Sequence, residues 1–337
     1  MSNLDQPMTL PLPGGRRLGA DETERHLSLM LEGAPLIRLR LERSPELHVH
    51  LQEINDRPVG PALWAACYWL FARDCACQRL TWHLNERPGE ALLSGLLTVT
   101  ERPGEYVCER TTFWQLPQPW LGESFSGSYP QQMIITDGQR HPRRPVKPRG
   151  EVYRRFDARL GAWVSLRTLE IEQDLTRFNR WQNSPRVASF WQEEGSLEQH
   201  REYLDKLQGD PRVLTLIGCF DDQPFAYFEA YWAKEDRIAP FYDAGNYDRG
   251  IHMLVGEEQH RGPHKVASWL SALVHYLFLD DPRTQRVVAE PRADNARMIG
   301  HLHNQCFHCE KEFDFPHKRA ALMILGRERF FDRCALM

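Results

Sequence analysis

Residues 249–280 contain the pattern that most restricts the fold of this chain. The stretch RGIHMLVG (249–256) has the composition of a strand, and HKVASWLSALVHYLFLD (264–280) has the apolar spacing of an amphipathic helix. The loop between them contains Gly262 and Pro263, and proline is favoured at the first position of a helix. The sequence therefore predicts a strand, a loop and a helix in direct succession, as found in mixed α/β folds.

The loop before this helix is a candidate anion site. The first N–H groups of a helix have no partners within it, and the helix dipole is positive at that end. Arg261, His264 and Lys265 add cationic side chains, and Gly262 lets a phosphate approach the main chain closely. A plain strand-to-helix turn with solvated cations explains the loop, taken alone, equally well. The loop lacks the glycines and the Lys-Ser/Thr pair of a P-loop, which argues against nucleotide triphosphate hydrolysis.

The composition argues against several classes of function. The chain has 337 residues, enough for two domains, and its formal net charge of -4 lacks the basic excess of nucleic-acid or membrane-surface proteins. No apolar run approaches the roughly 20 residues that span a bilayer, and the N-terminus lacks a secretory pattern. The eight cysteines indicate buried thiols in a reducing compartment. We therefore expect a cytoplasmic protein without nucleic-acid or membrane partners.

Changes in composition along the chain predict two domains. Residues 1–20 are rich in proline and glycine and are expected to be flexible, and residues 21–140 mix short strands with one helix in a smaller N-terminal α/β domain. The stretch HPRRPVKPRG (141–150) is typical of an interdomain linker, and a second domain occupies residues 151–337. The role of the N-terminal domain stays open between a lid, a dimerisation surface and a degenerate second lobe of the same fold.

The second domain is predicted to be a mixed α/β layer fold. Asp174, Ser196 and Asp294 are suitable N-caps for three of its helices. The predicted strands are 162–170, 213–220, 224–233, 249–256, 287–291, 309–315 and 320–330, and the predicted helices are 174–183, 196–208, 264–280 and 294–305.

The loop motif and several longer stretches resemble a known family. Gln259-His260-Arg261-Gly262-Pro263-His264 is similar to the Q/R-x-x-G-x-G/A pyrophosphate motif of the GNAT N-acyltransferases, with His264 in place of the last small residue. The resemblance implies a GNAT fold for the C-terminal domain. Stretches that resemble the siderophore-biosynthesis branch, including aerobactin-type N-hydroxylysine acetyltransferases, are FWQLP (113–117), EVYRRFD (151–157), LIGCFDDQPFAYFEAYWA (216–233), YDRGIHMLVGEEQHRG (247–262), FLDDPRTQRVVAEPRADN (278–295) and KEFDFPHKR (311–319).

This resemblance implies acetyl-CoA as co-substrate and the hydroxylamine nitrogen of N-hydroxyornithine or N-hydroxylysine as acceptor. It places acyl-CoA between the strands 249–256 and 287–291, and it implies that Asn295 contacts the pantetheine arm, although a helix cap is an equal alternative. The other residues implied in acyl-CoA binding are Met253, Leu254 and Val255 for pantetheine, and Gln259, His260, Arg261, Gly262, Pro263, His264 and Lys265 for the pyrophosphate.

His252 and Glu290 are the predicted catalytic pair. His252 lies on the strand 249–256 and Glu290 near the end of the following strand, so both are expected at one cleft. Their spacing resembles the histidine and acidic residue of mycobactin-type lysine acyltransferases. We expect His252, as a neutral imidazole, to act as general base, and Glu290 to orient it or the substrate or to receive the proton. A core histidine, and an ion pair of Glu290 with Arg286 or Arg292, are the structural alternatives.

Glu229 and Asp314 are candidate substrate contacts. Glu229 shares a strand face with two tyrosines and could neutralise a cationic amino acid, although an ion-paired structural role is as compatible with the pattern.

The segment 301–317 contains histidines and a C-x-x-C pair, but we expect a turn there and no metal. The alternatives kept open are a hydroxylated diamine acceptor, succinyl-CoA as donor, and a catalytically silent CoA-binding scaffold. A homodimer also stays open.

Overall fold

The computed structural model describes residues 8–43, 46–55, 59–122, 130–333 and 336. The chain forms two compact units. The first runs to Pro119 and includes Phe156–Gly161, and the second consists of Trp120–Arg155 and Ala162–Cys334. No helix among the described residues is long and apolar enough to cross a membrane.

The first unit is built on an eight-stranded sheet in the order β1-β2-β3-β4-β5-β6-β8-β7. Helix α1 (Val59–Arg73) is apolar on nearly every side and is buried. The strands are β1 (Met8–Pro11), β2 (Arg17–Glu22), β3 (His26–Leu31), β4 (Ala34–Arg43), β5 (Leu47–Ile54), β6 (Arg79–His83), β7 (Thr98–Val99) and β8 (Glu105–Glu109), and two short helices are α2 (Gly89–Leu93) and α3 (Arg110–Phe113).

The N-terminal segment is more regular than its composition predicts. β1 and β2 form an antiparallel pair within the residues that we expected to be flexible. Gly14 and Gly15, in the turn between the two strands, have φ angles of 86° and 80°. Glycine adopts such angles without steric cost, so the same residues that indicated flexibility permit the turn. Residues 1–7 of the predicted flexible segment lie outside the described residues.

The second unit is built on an eight-stranded sheet in the order β11-β12-β13-β14-β15-β16-β18-β17, beside a hairpin of β9 and β10. The strands are β9 (Met133–Thr136), β10 (Gln139–Pro142), β11 (Glu151–Asp157), β12 (Ala162–Thr168), β13 (Val213–Phe220), β14 (Gln223–Trp232), β15 (Arg249–Val255), β16 (Arg286–Ala289), β17 (His308–Asp314) and β18 (Arg319–Gly326). The helices are α4 (Ile171–Gln182), α5 (Pro185–Trp191), α6 (Leu197–Gly209), α7 (Pro263–Asp280), α8 (Ala296–Asn304) and α9 (Arg327–Arg333).

The predicted strand, loop and helix at 249–280 are confirmed as β15 and α7, and α7 begins at Pro263. β15 and β16 are parallel, and α7 connects them. The other pairings from β12 to β18 are antiparallel. A parallel pair needs a long crossover connection, which α7 supplies. The structure is therefore the mixed α/β fold that the sequence predicts.

The two sheets share one topology. In each, the fifth and sixth strands are parallel and are joined by a helix, α1 between β5 and β6 and α7 between β15 and β16. The order of the last strands is also the same, because the eighth lies between the sixth and the seventh. The first unit has a short turn between β2 and β3, where the second has α4, α5 and α6. This topology matches the degenerate second lobe among the three roles that the sequence left open.

Residues 141–150, whose composition is typical of a linker, lie within the second unit. Arg144 donates to Glu235 through Nε at 2.6 Å, and both side chains are almost fully buried. The Arg144 guanidinium also lies 4.2 Å from the ring centre of Trp232. At least one cation of this stretch is therefore packed into the unit and not solvated.

Two of the three predicted helix caps differ from the structure. Ser196 caps α6 in a reciprocal capping box with Gln199, as predicted. Asp174 is not a cap, because α4 begins at Ile171 and the buried Asp174 carboxylate accepts from Arg167 at 2.7 Å. The cap of α8 is Asn295, not Asp294.

Candidate active site

β15 and β16 separate after two paired residues. Their pairing is limited to Arg249 with Val287 and Gly250 with Val288, while β15 continues to Val255 and β16 ends at Ala289. Beyond Gly250, the main chain of β15 therefore has no strand partner on its β16 side among the described residues. The gap lies between the two strands where the resemblance places acyl-CoA, and it leaves main-chain amide groups available to a ligand.

A cavity of about 550 Å³ lies against these strands within the second unit. Its wall is formed by the end of α5 and the turn after it, by β14 and β15, by the residues that follow β16, by α8 and by the loop between β17 and β18. His252, Glu229, Glu290, Met253 and Asn295 all line this central cavity. The structure thus brings together five residues that the sequence singled out.

His252 lies between two carboxylates. Its Nδ1 is 2.8 Å from Oε2 of Glu229, and its Nε2 is 2.6 Å from Oε1 of Glu290. Glu229 is directly opposite His252 in the register of β14 and β15, and Glu290 follows the last residue of β16. The His252 side chain is 23% exposed, whereas that of Glu290 is fully covered. His252 is therefore the more accessible member of this carboxylate–histidine cluster, which we define as Glu229, His252 and Glu290.

Three tyrosine hydroxyls hold the two carboxylates in place. Tyr203 and Tyr227 donate to Oε1 of Glu229 at 2.6 and 2.8 Å, and Tyr231 donates to Oε2 of Glu290 at 2.6 Å. The alternation of β14 puts Tyr227 and Tyr231 on the Glu229 face, as the sequence indicated. Tyr203 lies on α6, and no pattern in the sequence connects it with Glu229. Each carboxylate oxygen of the cluster has a donor, which keeps both groups ionised.

The cluster holds His252 in its charged form. Burial alone would lower the pKa of His252, but the charge of Glu290 and the hydrogen bonds to both carboxylates raise it to about 10. Burial would raise the pKa of Glu290, but the charge and hydrogen bond of His252 lower it to about 2. The pKa of Glu229 is also lowered, because the His252 hydrogen bond outweighs burial. We expected a neutral imidazole, but both ring nitrogens face carboxylates, so the ring is an imidazolium at neutral pH.

The arginines that could have neutralised Glu290 have other partners. Arg292 forms a bidentate pair with Asp294, at 3.0 and 2.7 Å, and Arg286 contacts Asp248 at 2.8 Å. The structural alternative for Glu290, an ion pair with either arginine, does not occur. Lys318 instead donates to the main-chain oxygen of Glu290 at 2.8 Å, which leaves the carboxylate to His252 and Tyr231.

The loop before α7 presents main-chain donors. Gly262 has a φ of 121° at the N-cap, and the first helical hydrogen bond is from Val266 N–H to the Gly262 oxygen at 2.9 Å. The N–H groups of His264 and Lys265 have no main-chain acceptor within the described parts of the chain. Arg261 and His264 are exposed beside them. The site has the donors and the positive dipole end that an anion requires.

Other predicted acyl-CoA contacts have internal roles. Lys265 Nζ donates to the oxygen of Gln259 at 2.7 Å and so closes the loop. The ring of His260 packs against Phe225 and Phe220, with centres 5.5 Å apart in each case. These contacts hold the loop in shape, while its exposed main chain faces solvent.

The residues predicted to bind pantetheine differ in the main-chain and side-chain groups that they present to a ligand. The side chain of Leu254 is buried in the core, so only its main chain is available. The oxygen of Val255 accepts from Arg186 at 2.6 Å, a contact that the sequence did not reveal. Asn295 Oδ1 accepts from Met298 N–H at 3.1 Å and so caps α8, and Asn295 also lines the central cavity.

Asp314 and the C-x-x-C segment lie outside the central cavity. Asp314 is 74% exposed beside Arg319, and its place at the cavity is taken by two residues from the same loop, His317 and Lys318. Cys306 has a φ of 69° in the turn between α8 and β17, which agrees with the predicted turn. The residues that the structure describes contain no group of three or more His, Cys, Asp or Glu side chains placed to hold a metal ion.

The second unit thus combines diverging parallel strands, a histidine–carboxylate cluster and a helix N-terminus with unpaired main-chain donors. Comparison with known proteins identifies the class. Residues 170–315 match the family described as the acetyltransferase (GNAT) domain. Over 312 residues the chain is 47% identical to a Schizosaccharomyces pombe protein named as a lysine N-acyltransferase, covering 91% of this chain and 92% of that one.

Two further relatives are named for hydroxylated amino acids. The Escherichia coli N(6)-hydroxylysine O-acetyltransferase is 45% identical over 233 residues, which cover 68% of this chain and 73% of that protein. The Beauveria bassiana N(5)-hydroxyornithine:cis-anhydromevalonyl coenzyme A-N(5)-transacylase is 49% identical over 200 residues, covering 58% of this chain and 44% of that longer protein. The chain belongs to the GNAT acyltransferases, in the family of these relatives, and it is an enzyme.

Proposed function

We propose that this enzyme transfers an acetyl group from acetyl-CoA to the hydroxylamine nitrogen of N(6)-hydroxylysine or N(5)-hydroxyornithine. The product is a hydroxamate, a bidentate oxygen ligand for ferric iron, as siderophore biosynthesis requires. The observation that carries the proposal is the Glu229–His252–Glu290 cluster in the wall of the central cavity. The names of two relatives support the choice of acceptor.

The acceptor nitrogen requires little activation. A hydroxylamine is less basic than an alkyl amine, so most of it is neutral near pH 7 and can attack the thioester. Formation of the N–C bond leaves a proton on the nitrogen, and that proton must be removed. As the C–S bond breaks, the departing thiolate takes up a proton, so the whole reaction consumes none.

The cluster has the charge to accept this proton. With two carboxylates and one imidazolium its net charge is negative, and the uptake of one proton makes it neutral. Because the pKa values of both carboxylates are lowered, the cluster holds the proton only in transit and passes it to the departing thiolate. We assign the uptake to His252 and Glu290 acting as one unit, because His252 is the exposed member and Glu290 lies directly behind it. Glu229 then positions the imidazole through Nδ1.

The acyl donor fits the gap between β15 and β16. The main chain of Met253, beyond the last strand pair, is suited to the pantetheine amides. The free N–H groups of His264 and Lys265, with Arg261, are suited to the pyrophosphate. The bound thioester supplies the acetyl group.

The seven described cysteines are free thiols, which supports the cytoplasm as the proposed location.

The direct test is an assay of the wild-type enzyme with matched acceptors. N(6)-hydroxylysine and N(5)-hydroxyornithine are compared with lysine and ornithine, which differ only by the missing hydroxyl, and acetyl-CoA is compared with succinyl-CoA. We expect CoA thiol release and an acetylated product only with the hydroxylated amino acids and acetyl-CoA. Stabilisation by CoA in thermal unfolding, without thiol release on any hydroxylamine, would contradict the proposal.

A further inference from the structure

Three basic side chains meet at one side of the central cavity. Arg237, His317 and Lys318 all line it, and we refer to these three as the basic rim. Each packs on Phe315: the Arg237 guanidinium lies 5.4 Å from its ring centre, the Lys318 ammonium 5.6 Å, and the His317 ring 5.5 Å in a stacked arrangement. Because Phe315 is buried, one fixed ring holds the three groups together.

The basic rim lies near the charge of Glu290, but no carboxylate among the described residues forms an ion pair with it. Arg237 has no hydrogen-bond or ion-pair partner among the described side chains, and Lys318 uses its ammonium on the main-chain oxygen of Glu290. Burial and the charges of Arg237 and Lys318 lower the pKa of His317, as expected where cations crowd together. Such a group gains stability from an anionic ligand.

Arg292 lies at the same cavity but, in contrast to Arg237, has an ion-pair partner. Its Nε and Nη2 donate to Asp294 at 3.0 and 2.7 Å. The basic rim therefore differs from Arg292, because none of its three side chains forms an ion pair with a described carboxylate. Glu193 lines the same cavity, and its carboxylate can pair with the ammonium group of a ligand.

The only anionic group of an N-hydroxy amino acid is its α-carboxylate, separated from the hydroxylamine by the whole side chain. We propose that Arg237, with Lys318 and His317, binds the α-carboxylate of the acceptor and thereby selects amino acids over decarboxylated diamines. The assignment rests on the proposed acetyl transfer and adds to it the residues that distinguish the two acceptor classes. Arg237 supplies the bidentate contact, since a guanidinium matches a carboxylate in shape.

The test compares N(6)-hydroxylysine with N-hydroxycadaverine, which is the same molecule without the carboxylate. For the wild-type enzyme we expect a preference for N(6)-hydroxylysine in kcat/KM. Arg237→Ala should lower kcat/KM for N(6)-hydroxylysine by roughly 10- to 100-fold, mainly through KM, because a hydrogen bond to a charged group is lost. Its kcat/KM for N-hydroxycadaverine should change less than about threefold. The methyl ester of N(6)-hydroxylysine should behave with the wild-type enzyme as the amino acid does with Arg237→Ala.

Arg292→Ala is the matched control, an arginine of the same cavity whose loss should affect both acceptors equally. Arg237→Glu should reverse the preference between the two acceptors. An equal loss on both acceptors in Arg237→Ala, or a wild-type enzyme that does not distinguish them, would overturn the carboxylate assignment while leaving acetyl transfer intact. Absence of turnover on N(6)-hydroxylysine, N(5)-hydroxyornithine and N-hydroxycadaverine alike would instead reject the proposed function itself.

Discussion

A double-mutant cycle on His252 and Glu290 tests whether the two residues act as one proton acceptor. A positioned acid–base group contributes about 100- to 10,000-fold to a rate, and the weak basicity of a hydroxylamine places this case at the lower end. We expect His252→Ala and Glu290→Gln each to lower kcat by about 100-fold. The double variant should be no slower than either single one, because residues that act as a unit are not additive.

The structure also gives the stability cost of Glu290→Gln. Glu290 accepts two buried hydrogen bonds, from His252 and Tyr231, both at 2.6 Å. A glutamine keeps one acceptor oxygen and presents an amide donor in place of the other, so one bond to a charged group is lost. We expect a loss of about 1.5–3 kcal/mol in the free energy of unfolding, measured in urea. Glu229 still pairs with His252, so the variant stays folded.

Two controls separate chemistry from binding. CoA affinity should be unchanged in all three variants, because none of the changes alters the loop before α7. Glu229→Gln removes the carboxylate that faces Nδ1 of His252 but leaves the His252–Glu290 pair. The kcat of this variant should therefore fall by only about tenfold. A double variant about 10,000-fold slower than wild type, or an unchanged turnover number in His252→Ala, would refute the shared role.

Five further predictions follow from the cluster, from two glycines and from the side chain that caps α8. Because the pKa of His252 is raised to about 10 and that of Glu290 is lowered to about 2, kcat at saturation should be flat from about pH 7 to 9 and change only near pH 10. The stability that His252 contributes should, by the same shift, be complete below its ordinary pKa and fade as the pH rises towards 10, as unfolding in urea at several pH values would show. Gly262→Ala should weaken CoA binding by about tenfold in calorimetry, because φ is 121° and a Cβ would lie 3.0 Å from His264. Gly250→Ala should lower the unfolding free energy by about 1–3 kcal/mol and disturb the cluster, since a Cβ would lie 1.9 Å from the Tyr231 ring. Asn295→Ala should cost about 1 kcal/mol through the lost cap, and a parallel loss of CoA affinity would add the pantetheine contact to its role.

The local features of the fold were readable from the sequence. The apolar spacing of 264–280 and the proline before it gave α7 and its start at Pro263. The period of β14 placed Glu229 with Tyr227 and Tyr231 on one face. Such patterns act over a few residues, so composition and spacing are enough to predict them. His252 and Glu290 were found because the strand order puts both at one cleft.

The charge state of the site depends on contacts between distant residues. Only the register of β14 and β15 shows that Glu229 lies opposite His252, so the second carboxylate at the ring, and with it the imidazolium, could not be predicted. Tyr203 reaches Glu229 from α6 by packing of the helix on the sheet. The shared topology of the two units is likewise a property of non-local strand pairing, which short sequence patterns do not contain.

The central claim is that the acetyl group is transferred to nitrogen. The most direct measurement is the ferric complex, combined with the mass, of the product formed from acetyl-CoA with N(6)-hydroxylysine and, in parallel, with N(5)-hydroxyornithine. An N-acetylated hydroxylamine is a hydroxamate and gives the coloured iron complex, whereas an O-acetylated hydroxylamine has the same mass and gives none. We expect an iron-binding product of the acetylated mass with the wild-type enzyme. The acetylated mass without iron binding, or no acetylated product at all, would contradict the account.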